Sequence, residues 1–225
     1  MQQSPTTPLD VPADVADVVV MGGSFDPPHV GHTRLGEVAR RHAGELAWLV
    51  FVPAARSPFK DAGPTASDTD RVAMLRLATA EAKRTLVWTD EIDRARPGQA
   101  SYTIDTLRRA RAWLDGHGSA GARLWLVIGA DQAAAFHKWR EAGAILELAR
   151  PLVLAREGAM LDEAMVQHWD AAMMERWRRA VVPAPMLEVS STALRRAMAG
   201  DDARLAEQWL EPGVLPYIRE RGLYA

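Results

Sequence analysis

The chain has 225 residues, of which 48% are hydrophobic, a formal net charge of −2 and no cysteine. That length suits one substantial α/β domain, and the near-neutral balance gives no general attraction to nucleic acid or to an anionic membrane. The lack of cysteine excludes disulfides, thiolate metal sites and cysteine nucleophiles. The first 16 residues, rich in Gln, Ser, Thr, Pro and Asp, lack the basic start and apolar run of a signal peptide and read as a disordered extension. Residues 17–225 then form a single domain. No apolar run is long enough to span a membrane, and the expected location is the cytoplasm.

The first strand signal is Asp17 to Met21, apolar on both faces as in an interior strand of a parallel sheet. Gly22-Gly23 breaks it, and a helix follows from about Gly31. A second strand runs from Ala47 to Val52, and a loop spans 54–69, with Asp68 or Thr69 as the helix cap. An amphipathic helix covers 70–83. Leu86–Trp88 is a short strand, Tyr102–Leu114 a helix, Leu124–Ile128 a buried strand and Leu152–Leu154 another. Residues 162–179 read as helix and Met186–Val189 as extended. From Thr192 to the end the chain is helical, with a break at Pro212-Gly213. This alternation predicts a parallel sheet with helices on both faces and a helical C-terminal part. Ligands in such sheets sit outside the carboxyl ends of the strands. The rule points to three loops, at 22–32, 53–60 and 129–139.

The most informative stretch is Gly22-Gly23-Ser24-Phe25-Asp26-Pro27-Pro28-His29-Val30-Gly31-His32, between a strand and a helix. The glycines let a ligand approach the backbone, and the helix start favours anions. His29 and His32 can face the same side of the first turn. Taken alone, two such histidines are also compatible with surface residues or a metal pair, for which Asp26 is the only nearby third ligand. A second segment, Val189-Ser190-Ser191-Thr192-Ala193-Leu194-Arg195, places hydroxyl caps and open N–H groups at another helix start. By itself it reads as a capped helix with a surface arginine.

Together the two segments resemble the paired signatures of the nucleotidyltransferase superfamily, Gly-x-Phe-Asp-Pro-x-His-x-Gly-His and Ile-Ser-Ser-Thr-x-x-Arg. The resemblance implies a Rossmann-like α/β nucleotidyltransferase fold and nucleotidyl transfer, with Gly22, Gly23, Ser24, Phe25, His29, His32, Ser190, Ser191, Thr192 and Arg195 around ATP. Two further stretches are similar to those of nicotinate-nucleotide adenylyltransferases: Ser101-Tyr102-Thr103-Ile104-Asp105-Thr106-Leu107, and Gly129-Ala130-Asp131 with Phe136 and Trp139. In that family, N–H groups near the threonine receive the nicotinate carboxylate and the tryptophan stacks on the pyridine ring. An aromatic face and anion-binding N–H groups suit such a substrate.

The resemblance thus implies transfer of AMP from ATP to nicotinate mononucleotide in NAD biosynthesis. Gly129 and Asp131 would lie at the ATP and Lys60, Tyr102, Thr103 and Trp139 at the mononucleotide. His29, His32, Lys60 and Arg195 would act in catalysis, and Mg2+ would be held mainly by substrate phosphates. Two departures stand out: Ser24 replaces a common threonine, and Phe59 replaces a histidine before Lys60. Other acceptors, or an ATP-binding protein without turnover, are the rival readings. A nucleic-acid partner is disfavoured by the scattered arginines.

Overall fold

The apolar runs read as strands in the first half of the chain join one sheet in the computed structural model, which describes residues 7–56, 63–96, 98–155, 168–200 and 203–224. The strands are β1 (Asp17–Gly23), β2 (Trp48–Pro53), β3 (Thr85–Val87), β4 (Arg123–Gly129), β5 (Arg150–Ala155) and β6 (Val181–Pro183). They lie in the order β3-β2-β1-β4-β5-β6, all parallel. The helices are α1 (Val30–Ala43), α2 (Asp68–Ala78), α3 (Asp90–Asp93), α4 (Thr103–Gly116), α5 (Ala130–Ala134), α6 (Ala142–Leu148), α7 (Ala171–Arg179), α8 (Ser191–Ala199), α9 (Ala203–Trp209) and α10 (Val214–Glu220).

The unbroken apolar run of β1 follows from burial on both faces. Val18 and Val20 pack with Ile104 and Leu107 of α4. Val19 and Met21 pack with Ala39 of α1 and Leu75 of α2 on the other face. A third apolar cluster joins Met74 of α2 to Leu194, Leu210 and Leu215, so the C-terminal helices cover α2. The strand order reverses direction between β1 and β4, and this switch point opens a crevice at the carboxyl ends of the strands.

Several expectations need correction. Of the expected N-terminal extension, residues 1–6 lie outside the described residues, and in the rest Leu9 is 1% exposed and shares a cluster with Trp88. The Trp88 Nε1–H donates to the Thr7 carbonyl at 3.1 Å. A polar average over 16 residues hides the two apolar anchors, Leu9 and Val15. The cap of α2 is Ser67, whose Oγ accepts from Asp70 N. The last strand is Val181–Pro183 instead of Met186–Val189. Three residues are too few to show alternation, while Pro183 and Pro185 remove the donors a strand over 186–189 would need in its approach. The helix expected over 162–179 is seen as α7, capped by Asp170; residues 168–170 are not helical, and 162–167 lie outside the described residues.

Candidate active site

A cavity of about 580 Å³ lies at the carboxyl ends of the strands. Its walls bring together Gly22, Gly23 and Ser24 after β1, His32 of α1, Ser101 to Thr103 at the start of α4, and Trp139. Gln132, Lys138 and Arg140 complete the wall after β4, and Glu91 and Thr106 lie on the α3–α4 side. All three loops expected from the strand ends therefore contribute described residues to its wall. The β2 loop reaches the cavity through Ala54, and Lys60 falls outside the described residues.

The first signature is held by a dense set of contacts. Phe25 has a φ of 47° and its ring is 1% exposed, set edge-on to Phe51 and His32 at centroid distances of 5.6 and 5.0 Å. Its side chain is thus core, and only its backbone remains available to a ligand. A Cβ on Gly23 would lie 2.8 Å from that ring, and one on Gly31 would lie 2.9 Å from the His29 ring and 3.0 Å from Val189. Both glycines are explained by close approach inside the protein. A Cβ on Gly22 would meet nothing within 4 Å, which fits a position facing the cavity.

His29 is the N-cap residue of α1. Its N–H donates to His32 Nδ1 at 3.2 Å, and the two rings lie 3.7 Å apart. Because Nδ1 of His32 accepts, the proton of the neutral ring sits on Nε2, which becomes a donor. His29 is 6% exposed, its Nδ1 has no hydrogen-bond partner among the described residues, and burial holds its pKa down to about 4. The unfolded chain then binds a proton between about 6.5 and about 4 that the folded protein refuses, so stability falls as pH drops through that window. Urea denaturation is expected to show wild type losing up to about 3 kcal/mol more than His29→Gln over this range. Equal losses in the two proteins would remove His29 as the source.

Asp26 carries no free carboxylate. It accepts from Thr65 N at 2.7 Å, Ala66 N at 3.1 Å and Tyr224 Oη at 2.7 Å. The second signature docks on the same turn. Ser191 Oγ donates to the Pro27 carbonyl at 2.9 Å and Arg195 Nη1 to the Asp26 carbonyl at 2.6 Å. Ser190 caps α8 through Ala193 N, and Arg195 Nη2 lies 3.4 Å from Thr192 Oγ1. Two segments about 160 residues apart thus form one unit. His29, Ser190, Ser191, Thr192 and Arg195 belong to this unit and not to the cavity wall. Gly129 and Asp131 also stand outside the cavity wall. A Cβ on Gly129 would lie 2.7 Å from Asp131 Oδ1, and the Gly129 N–H donates to Gln132.

Across the cavity, Tyr102 caps α4 without a side-chain hydrogen bond. The first helical N–H groups, of Thr103 and Ile104, have no partner in the described residues. Trp139 is half-buried and stacked on Phe136 with centroids 4.9 Å apart. Arg140 lies over the Tyr102 ring at 4.6 Å.

Sequence reasoning missed Arg71, Glu91, Gln132 and Arg140. Arg71 looks like an ordinary charged residue of an amphipathic helix. Glu91 follows β3, whose carboxyl end the strand-end rule would have flagged had it been applied there.

The Cytidylyltransferase-like family model matches residues 20–197. A "probable nicotinate-nucleotide adenylyltransferase" of Chromobacterium violaceum is 37% identical over 221 residues, covering 93% of this chain and 99% of the relative. A protein of the same description from Roseiflexus sp. is 34% identical over 209 residues, covering 93% and 98%. Among solved structures, the Plasmodium falciparum nicotinic acid mononucleotide adenylyltransferase complexed with NaAD superposes with a TM-score of 0.66 at 14% identity, over 93% of this chain and 97% of that one.

Proposed function

We propose, from the premise that the chain belongs to the nicotinate-nucleotide adenylyltransferase family, that it transfers AMP from ATP to nicotinate mononucleotide. The products are nicotinate adenine dinucleotide, the precursor of NAD, and pyrophosphate. The observation that carries this reading is the single cavity with two unlike walls. One is a glycine turn with a histidine donor, suited to phosphate. The other is an open helix start beside an indole face, suited to a flat ring bearing a carboxylate.

The reaction is an in-line displacement. The 5′-phosphate of the mononucleotide attacks the α-phosphorus of ATP, the new P–O bond forms, and the bond to pyrophosphate breaks. The nucleophile is already anionic, so no general base is needed. The work of the protein is positioning and charge compensation. His32 Nε2–H and His29 are assigned to α- and β-phosphate oxygens. Arg195 and the N–H groups of Ser191 and Thr192 are assigned to the β- and γ-phosphates, with Gly22, Gly23, Ser24 and the Phe25 backbone against the nucleotide. Gly129 and Asp131 are assigned to the adenosine end. Tyr102, Thr103 and Trp139 receive the nicotinate ring, and Lys60 helps neutralise a phosphate.

The described residues contain no group of three or more His, Asp or Glu side chains placed to hold an ion, and Asp26 is committed elsewhere. Mg2+ is assigned as an ion carried on nucleotide phosphates and water, where it would offset phosphate charge. No helix among the described residues is long and apolar enough to cross a membrane.

The test is pyrophosphate release with ATP and Mg2+, comparing nicotinate with nicotinamide mononucleotide at equal concentration. Release with the acid alone is expected. Release only with the amide would sink the acceptor assignment, and silence with both would sink the reaction. Trp139→Ala is expected to raise KM for the mononucleotide roughly three- to tenfold, the range of a lost aromatic stack, with KM for ATP little changed. A change confined to ATP would overturn the stacking role.

A further inference from the structure

Directly after β3, Glu91 sits in the cavity wall with a relative exposure of 8%. Its contacts are unusual for a buried carboxyl. Thr106 Oγ1 lies 2.6 Å from Glu91 Oε1, and because Arg94 Nη2 donates into that same hydroxyl at 2.9 Å, the hydroxyl proton points to Glu91. Ser101 supplies a second hydroxyl. No ion pair reaches Glu91 among the described residues. Its neighbour Asp90 takes the charged partners, Arg94 at 2.9 Å and Arg109 at 2.6 Å.

Thr106 lies one turn beyond Thr103, and Ser101 precedes the α4 start. Glu91 therefore holds both ends of the turn that brings Thr103 to the cavity wall. Burial pushes the Glu91 carboxyl up, partly offset by the two hydroxyls and the charge of Arg94. A second negative charge arriving at the same turn would push it further in that direction.

We propose that Glu91 sets the preference between acid and amide acceptors: it admits a carboxylate at the start of α4 more readily as an uncharged acid than as a carboxylate, so that proton uptake from solvent is coupled to binding of the acid and proton return to its release. This rests on the acceptor reading above. An ionised Glu91 repels nicotinate and leaves nicotinamide unaffected. The groups that face it are Asp90 and Arg94 on α3, Arg109 on α4, His32 on α1, and Lys138 and Arg140 from the segment after β4. His32 is assigned to phosphates, which both acceptors share, so its titration cancels in a ratio of the two.

The experiment measures kcat/KM for nicotinate and nicotinamide mononucleotide across the pH range in which the protein stays folded, with the amide read as a competing inhibitor if its turnover is slow. In wild type the acid-to-amide ratio is expected to fall roughly tenfold as pH rises, the effect of one pK unit of coupling. Glu91→Gln keeps an acceptor for both hydroxyls and leaves every other charge in place. Its ratio is expected to be flat and to stay at the wild-type low-pH value. Glu91→Ala, which frees both hydroxyls, is expected to raise KM for both acceptors alike. A flat wild-type ratio, or a Gln variant that tracks wild type, overturns the proposal while the reaction stands. Silence with both acceptors overturns the reaction and this inference with it.

Discussion

His32→Ala is expected to lower kcat roughly 10²-fold or more, the usual cost of removing a donor aimed at charge that develops in the transition state. Three features converge on that donor. Its Nδ1 accepts from His29 N, which assigns the proton to Nε2. Its ring is held edge-on by Phe25. Its position in the cavity wall, beside the Gly22–Ser24 turn, is where a triphosphate would pass. The substitution also removes an acceptor from the α1 start, at a cost of about 1 kcal/mol. Circular dichroism and urea denaturation are therefore expected to show a folded protein of slightly reduced stability. The mononucleotide KM should move little, since the nicotinate wall is untouched. A kcat within about threefold of wild type in a folded variant would remove His32 from the chemistry.

The sheet was legible because its strands are buried on both faces and carry unbroken apolar runs, as Val18 to Met21 and Leu124 to Ile128 do. Short elements were not. Val181–Pro183 and Asp90–Asp93 are three and four residues long, too short for periodicity to register. In the site, the backbone-shaping residues could be read: the glycines, the histidines and the serine caps each have a local reason to be there. What could not be read were side chains whose purpose lies across the fold. Phe25 belongs to a phosphate-binding signature, yet its ring is core. Tyr224, next to last in the chain, reaches Asp26. Thr33 of α1 reaches Glu211, 178 positions away. No pattern within a window of one sequence encodes such pairings. The same limit separates Glu91 from its solvent-exposed equivalents, since only burial gives that carboxyl its character.

Arg71 is the strongest case of a cross-fold residue, and Arg71→Met is expected to destabilise the protein by about 3 kcal/mol. The side chain is fully buried. Its Nη1 donates to the Ser24 carbonyl at 2.6 Å and its Nη2 to the Ala54 carbonyl at 2.8 Å. One guanidinium thus joins the loop after β1 to the loop after β2, both of which line the cavity. Methionine fills much of the volume but leaves two carbonyls without that donor, each costing about 1–3 kcal/mol when buried. Asp68, the third partner, is 45% exposed at its side chain and returns to water, so its loss adds little. Arg71→Lys keeps the charge but cannot bridge both carbonyls with a planar fork, and should recover less than half of the loss. Because Ser24 follows directly on Gly22-Gly23, slackening its carbonyl also displaces the glycine turn. The Met variant is therefore expected to show a higher KM for ATP at temperatures where it remains folded. Denaturation midpoints and ATP kinetics together check this. A loss below about 1 kcal/mol with unchanged ATP kinetics would mean that water replaces the guanidinium between the two loops, and that the turn holds its shape without the arginine.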